Sequence, residues 1–185
     1  MQQYEAVLPL QLKGLKLSSF NLHWQDSAET AEKHHWAYSQ YLACLCDLEI
    51  QKREQTRLKR RIKESCLPKT KTLSGFNFKA NATINAAQIN ALAETDTWIK
   101  QANNLIIFGP SGVGKTHIAA AIAYRQIELG TKAKFFQTSH LVQLLQQAKA
   151  QFRLKELLMK LDRVPLIIID DIGYIKKDEH ETSVL

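Results

Sequence analysis

The chain has 185 residues, with 25 Lys and Arg against 18 Asp and Glu, a formal net charge of +7, and 45% hydrophobic residues. That mixture excludes wholesale disorder, and the length suits one ordinary domain with a small appendage. No apolar run approaches the roughly 20 residues that span a bilayer, and Met1 to Val7 lacks the basic start and apolar stretch of a signal peptide. The expected location is therefore the cytoplasm, with no membrane partner.

The first part, to about Phe78, reads as helical. Trp36, Tyr38, Tyr41, Leu42, Leu45 and Leu48 recur at helical steps within Thr30 to Ile50 and are expected to be core. The same helix is expected to continue past Ile50, with Leu58 and Ile62 as its apolar line, until Pro68 stops it. Nine basic residues lie between Lys52 and Thr72 against two acids, which equals the excess of the whole chain. Lys52, Arg53, Arg57, Lys59, Arg60, Arg61 and Lys63 thus make a candidate footprint for a polyanion, DNA above all, with a solvated helix face as the alternative. Cys44, Cys46 and Cys66 match no paired metal spacing and read as reduced thiols. His34 and His35 are adjacent and receive no function.

Lys69 to Asn81 contains Gly75 and has no helical period, so it reads as a linker, with Phe76 and Phe78 as the contacts that pin it to the next domain. Asn85 and Gln88 form a capping pair that opens a helix expected to run to Trp98. Leu105 to Phe108 reads as a buried parallel strand, followed by a helix from about Lys115 to Gly130. Ala133 to Phe136 is a second strand, Ser139 is expected to cap a helix bearing Leu141, Leu144 and Leu145, and Arg153 to Leu161 is helical. Leu166 to Ile169 is a third strand, and Asp178, Glu179 and Glu181 read as a solvated helix start. Strand and helix in alternation predict an α/β fold with a mostly parallel sheet. The domains are expected at residues 1–78, a helical region with basic helix and linker, and at 79–185.

Gly109, Pro110, Ser111, Gly112, Val113, Gly114, Lys115 and Thr116 follow the pattern of Gly, four residues, then Gly, Lys and Ser or Thr. Glycines let successive amides turn toward phosphate oxygens, and the positive end of the following helix adds to that field. Lys115 is expected to bridge the β and γ phosphates of ATP and the Thr116 hydroxyl to ligate Mg2+. Asp170, at the end of the apolar run Leu166 to Ile169, is expected to hold the same metal through water, and Asp171 to orient water as a general base. His117 adjoins the loop, and packing or support of the site is expected of it.

Taken in order, Leu12 to Leu17 (LKGLKL), the basic helix around Glu49 to Lys63, Pro68 to Phe78, Gly109 to His117 (GPSGVGKTH) and Ile168 to Tyr174 (IIDDIGY) resemble the IstB-like ATP-binding proteins. These are AAA+ helpers of insertion-sequence transposases. The resemblance implies a P-loop ATPase with a three-layer parallel sheet behind a small helical region. It further implies ATP hydrolysis coupled to self-assembly on DNA and a partner transposase. A replicative-helicase-loader-like ATPase is the alternative within that class, and a non-catalytic DNA-binding fragment the alternative outside it. The family usually carries glutamate at the place of Asp171, so slow hydrolysis is expected. In this family the strand between the P-loop strand and the acidic strand, the sensor residue and the arginine finger all come later in sequence. The chain ending at Leu185 is therefore expected to be a fragment or truncated copy with little independent turnover.

Overall fold

The computed structural model describes residues 2–80 and 84–172. The expected helix start at Asp178, Glu179 and Glu181, and Tyr174 of the acidic motif, lie outside the described residues. Two compact units divide the chain at Lys59 and Arg60.

In the first unit, α1 (Gln2–Gly14) and α2 (Ser18–Lys33) precede α3 (Tyr38–Ser65), which runs on through the boundary. The single helix expected across Thr30 to Ile50 is two helices. His34 N–H and Trp36 N–H close back onto Thr30 and Ala31 carbonyls, and His35 between them has φ 52°, so α2 ends in a left-handed turn. Tyr38 and Leu42 are exposed as a result, while Leu45 is buried. The core of this unit also holds a charge. Glu49 is 5% exposed and accepts the Ser19 N–H at 2.7 Å, satisfying a donor that the first turn of α2 leaves unpaired. Its other oxygen accepts Arg53 Nε at 2.7 Å, and Arg53 Nη2 also donates to the Lys16 carbonyl.

Burial works to raise the Glu49 pKa, but the hydrogen bonds from Arg53 and Ser19 prevail and lower it. A carboxyl whose folded pKa lies below its unfolded value stabilises the fold above the ordinary 4.5. That contribution fades as acid carries the solution down through the folded value. Glu49→Ala should cost about 2 kcal/mol at neutral pH by stranding the Ser19 N–H, and less in acid. Urea titrations followed by circular dichroism at both pH values measure the difference; an equal cost in both would contradict the assignment.

In the second unit, α4 (Ala86–Glu94) opens with the Asn85 side chain accepting the Gln88 N–H at 3.2 Å, as the capping pair predicts. It stops at Glu94 rather than reaching Trp98, which sits in the short α5 (Thr97–Lys100). The buried amide of Gln126 explains the stop: Nε2 donates to the carbonyls of Ala93 and Thr95 at 2.8 and 2.9 Å, taking up acceptors that a continuing helix would have used. Gln126 lies on α6 (Lys115–Glu128), so the same bonds fix α4 to α6. Gly130, with φ 106°, ends α6 as expected.

β1 (Ala133–Gln137) and β2 (Leu166–Asp170) pair in parallel, in register from Ala133 opposite Leu166 to Gln137 opposite Asp170. They are joined through α7 (Thr138–Ala150) and α8 (Leu154–Leu161). Because side chains alternate along a strand, Phe136 and Ile167 face α7 and α8, packing with Leu141, Leu145, Leu154, Leu157 and Leu161. Asp170 faces α6 instead. The arrangement is helix, sheet, helix.

Leu105 to Phe108 departs from the expected strand. It is irregular and joins no ladder, and Leu105, Ile106 and Phe108 are exposed. A strand exists only where a neighbour takes up its N–H and C=O groups, and no described segment does so here. Ile107 alone anchors the segment, packing on Ala93, Ile118 and Ile122.

A candidate phosphate-binding site

Three glycines give the loop before α6 its curl: Gly109, Gly112 and Gly114 have φ 153°, 81° and 93°. Gly114 is the N-cap of α6, and the Ile118 N–H bonds its carbonyl at 2.9 Å. The Lys115 ammonium folds back over the loop and donates to the carbonyls of Gly109 and Pro110 at 2.9 and 2.7 Å. Pro110, Ser111 and Gly112 are exposed at the mouth, and Val113 supports the turn from beneath, 3.2 Å from where a Gly109 Cβ would lie. A helix N-terminus, a turn rich in glycine and a flexible ammonium together suit a chain of phosphates.

Opposite the loop, the Thr116 hydroxyl donates to both oxygens of Asp170, at 3.1 and 2.9 Å. These groups come from elements 54 residues apart, brought together because β2 ends beside the first turn of α6. A hydroxyl touching a carboxylate in this way is a donor set that hard divalent cations use. Asp171, next along, is exposed with φ 60° and so turns away from the strand direction.

Thr138 escaped the sequence reading. Against the cap expected at Ser139, the N-cap of α7 falls two residues earlier, at Gln137, and no side-chain cap forms at all. The Thr138 hydroxyl, 2% exposed, donates instead to the Asp170 carbonyl and fixes the strand end whose side chain meets Thr116. The only sequence signal was its place, one residue beyond the strand that pairs with β2.

The sequence of residues 10–185 matches the family described as IstB-like ATP binding protein. The chain belongs to that family. It is 39% identical over 181 residues to a Sinorhizobium fredii protein named "Putative insertion sequence ATP-binding protein", covering 98% of this chain and 61% of that one. To the "Insertion sequence IS21 putative ATP-binding protein" of Pseudomonas aeruginosa it is 30% identical, covering 96% and 66%. To the "Insertion sequence IS5376 putative ATP-binding protein" of Geobacillus stearothermophilus it is 33% identical, covering 88% and 64%. The chain thus spans a little under two thirds of the length of these relatives.

The IstB-like chain disperses the other predicted site residues. His117 Nε2 donates to the Thr72 carbonyl at 2.9 Å, which engages that nitrogen with the linker. In the basic stretch, Arg53 is committed to Glu49 and the Lys16 carbonyl, and Arg60 lies 3.8 Å from Glu64. Arg61 is half-buried, close to Gly130. Lys52, Arg57, Lys59 and Lys63 are exposed. The steps of seven and four between Lys52, Lys59 and Lys63 set them along one side of α3, since they nearly close whole turns. Among the described residues no helix is long and apolar enough to cross a membrane, and no three His, Cys, Asp or Glu side chains cluster as metal ligands. The three cysteines are free thiols.

Proposed function

We propose that this chain is the nucleotide-binding part of a transposition helper, taking ATP with Mg2+ at the loop 109–116 and serving a transposase on DNA. The observation that carries the reading is the 2.9 Å approach of the Thr116 hydroxyl to Asp170, with Lys115 folded over the same loop. In this reading Lys115 moves from the loop carbonyls to the β and γ phosphates, and the loop glycines let the main chain come close to them. Thr116 would ligate Mg2+ directly, and Asp170 would hold it through water. The metal, when bound, neutralises charge on the phosphate oxygens. Asp171 would orient the attacking water. Titration of the chain with a fluorescent ATP analogue, with and without Mg2+, tests the reading: saturable, metal-dependent binding is expected, and its absence would refute the site.

DNA contact is assigned to Lys52, Arg57, Lys59 and Lys63, which are exposed; Arg60, also exposed, is left to its ion pair with Glu64. Arg53 is left out because its guanidinium is used within the helical unit. With ~4 phosphate contacts, affinity for duplex DNA should fall roughly a hundredfold between 50 and 200 mM salt. Replacing the four assigned residues with glutamine should flatten that dependence in a fluorescence-anisotropy titration. An unchanged slope would move the contact elsewhere.

A further inference from the structure

The segment after α3 does more than join elements. As it advances from Pro68 to Thr72 to Phe76, its partners on α6 run back toward the phosphate loop. The Tyr124 hydroxyl donates to the Pro68 carbonyl at 3.2 Å, and His117 Nε2 donates to the Thr72 carbonyl at 2.9 Å. Phe76 then reaches the loop itself. A Cβ on Gly114 would lie 2.7 Å from Phe76 Cε2 and 3.3 Å from Cζ, so the ring rests directly on the last glycine before Lys115. The ring is held edge-on by two others, His117 at a centroid distance of 5.1 Å and Phe78 at 4.8 Å. Two main-chain bonds shape the turn beneath it, from Gly75 N–H to the Thr72 carbonyl and from Phe76 N–H to the Leu73 carbonyl, both at 3.2 Å. Leu73 and Phe76 complete the anchorage by packing on Ala93, Ile118 and Ile122.

We propose that residues 68–78 form a strap that holds the phosphate loop in its curled conformation, with Phe76 and His117 as positioning residues that couple loop and strap. The inference rests on the nucleotide reading of the loop and adds what sets the loop's shape. Gly114 adopts φ 93°, a conformation that glycine tolerates but does not by itself prefer over others. The ring edge and the His117 latch select it from one side, and bound phosphates would select it from the other. Two influences that favour one conformation reinforce each other reciprocally. Nucleotide should therefore tighten the strap, and a loosened strap should weaken nucleotide binding.

The test uses the full chain and a fluorescent ATP analogue with Mg2+. In the wild type, saturating analogue should slow hydrogen exchange several-fold in peptides covering residues 68–78. His117→Ala should remove that slowing and weaken the analogue about tenfold. His117→Gln, which can still donate to the Thr72 carbonyl, should restore most of both. Phe76→Ala should act in the same direction, and the His117 variants decide the matter if loss of the ring unfolds the domain. Exchange in 68–78 indifferent to analogue, or His117→Ala binding as the wild type does, overturns the strap while leaving the nucleotide site standing. A wild type that binds no analogue overturns both.

Discussion

Replacing Lys115 with alanine should lower affinity for a fluorescent ATP analogue by a hundredfold or more. A charge-assisted hydrogen bond contributes roughly 1.5–3 kcal/mol, and an ammonium between two phosphates makes more than one of them. At 1.4 kcal/mol per factor of ten, losing ~3 kcal/mol already takes a micromolar site beyond practical saturation. The side chain also bonds Gly109 and Pro110 carbonyls, but those lie at an exposed mouth where water can replace it. The melting temperature should accordingly change little, which separates loss of a ligand group from loss of fold. An alanine variant that binds the analogue as the wild type does would end the case for a phosphate site at this loop.

The second large effect is expected at Gly114. Alanine there meets two obstacles: a left-handed conformation that costs an L-residue roughly 1–2 kcal/mol, and the Phe76 ring edge at 2.7 Å. Gly112 separates them, because it shares the positive φ but has nothing within 4 Å of its missing Cβ. Gly114→Ala should therefore reduce both melting temperature and nucleotide affinity well beyond Gly112→Ala. Combining Gly114→Ala with Phe76→Ala should cost less melting temperature than the two single losses added together, since the collision is gone while the backbone strain remains. A double variant whose loss equals the sum of the two singles would show that ring and glycine do not interact.

Much of this is legible in the sequence alone. Asn85 with Gln88, the strands at Ala133 and Leu166 and the glycine stop at Gly130 are local signals, each decided by a few neighbouring residues. The family, too, is legible, because its motifs fall in order along one chain. Part of what failed depended on a partner distant in sequence, and part on local geometry that composition does not mark. Leu105 to Phe108 has the composition of a strand, yet a ladder needs a neighbour, and composition cannot say whether one is present. Thr138 carries no local signal of its own, and only the parallel register of β1 on β2 brings its hydroxyl to the Asp170 carbonyl. Arg53 looked interchangeable with the basic residues around it, but a buried carboxylate four residues earlier claims it. The left-handed turn at His35 left no mark in the periodicity, since two helices in series keep nearly the same apolar rhythm as one.

The order of attachments along the linker has a mechanical consequence. Its first hold on α6 is the Tyr124 hydroxyl at Pro68, and its last is the ring of Phe76 against Gly114. A tug arriving through the C-terminal end of α3 loads these fastenings one after another, like stitches parting from the free end of a seam. Fraying at Pro68 can therefore come and go while the stitch nearest the phosphates stays closed.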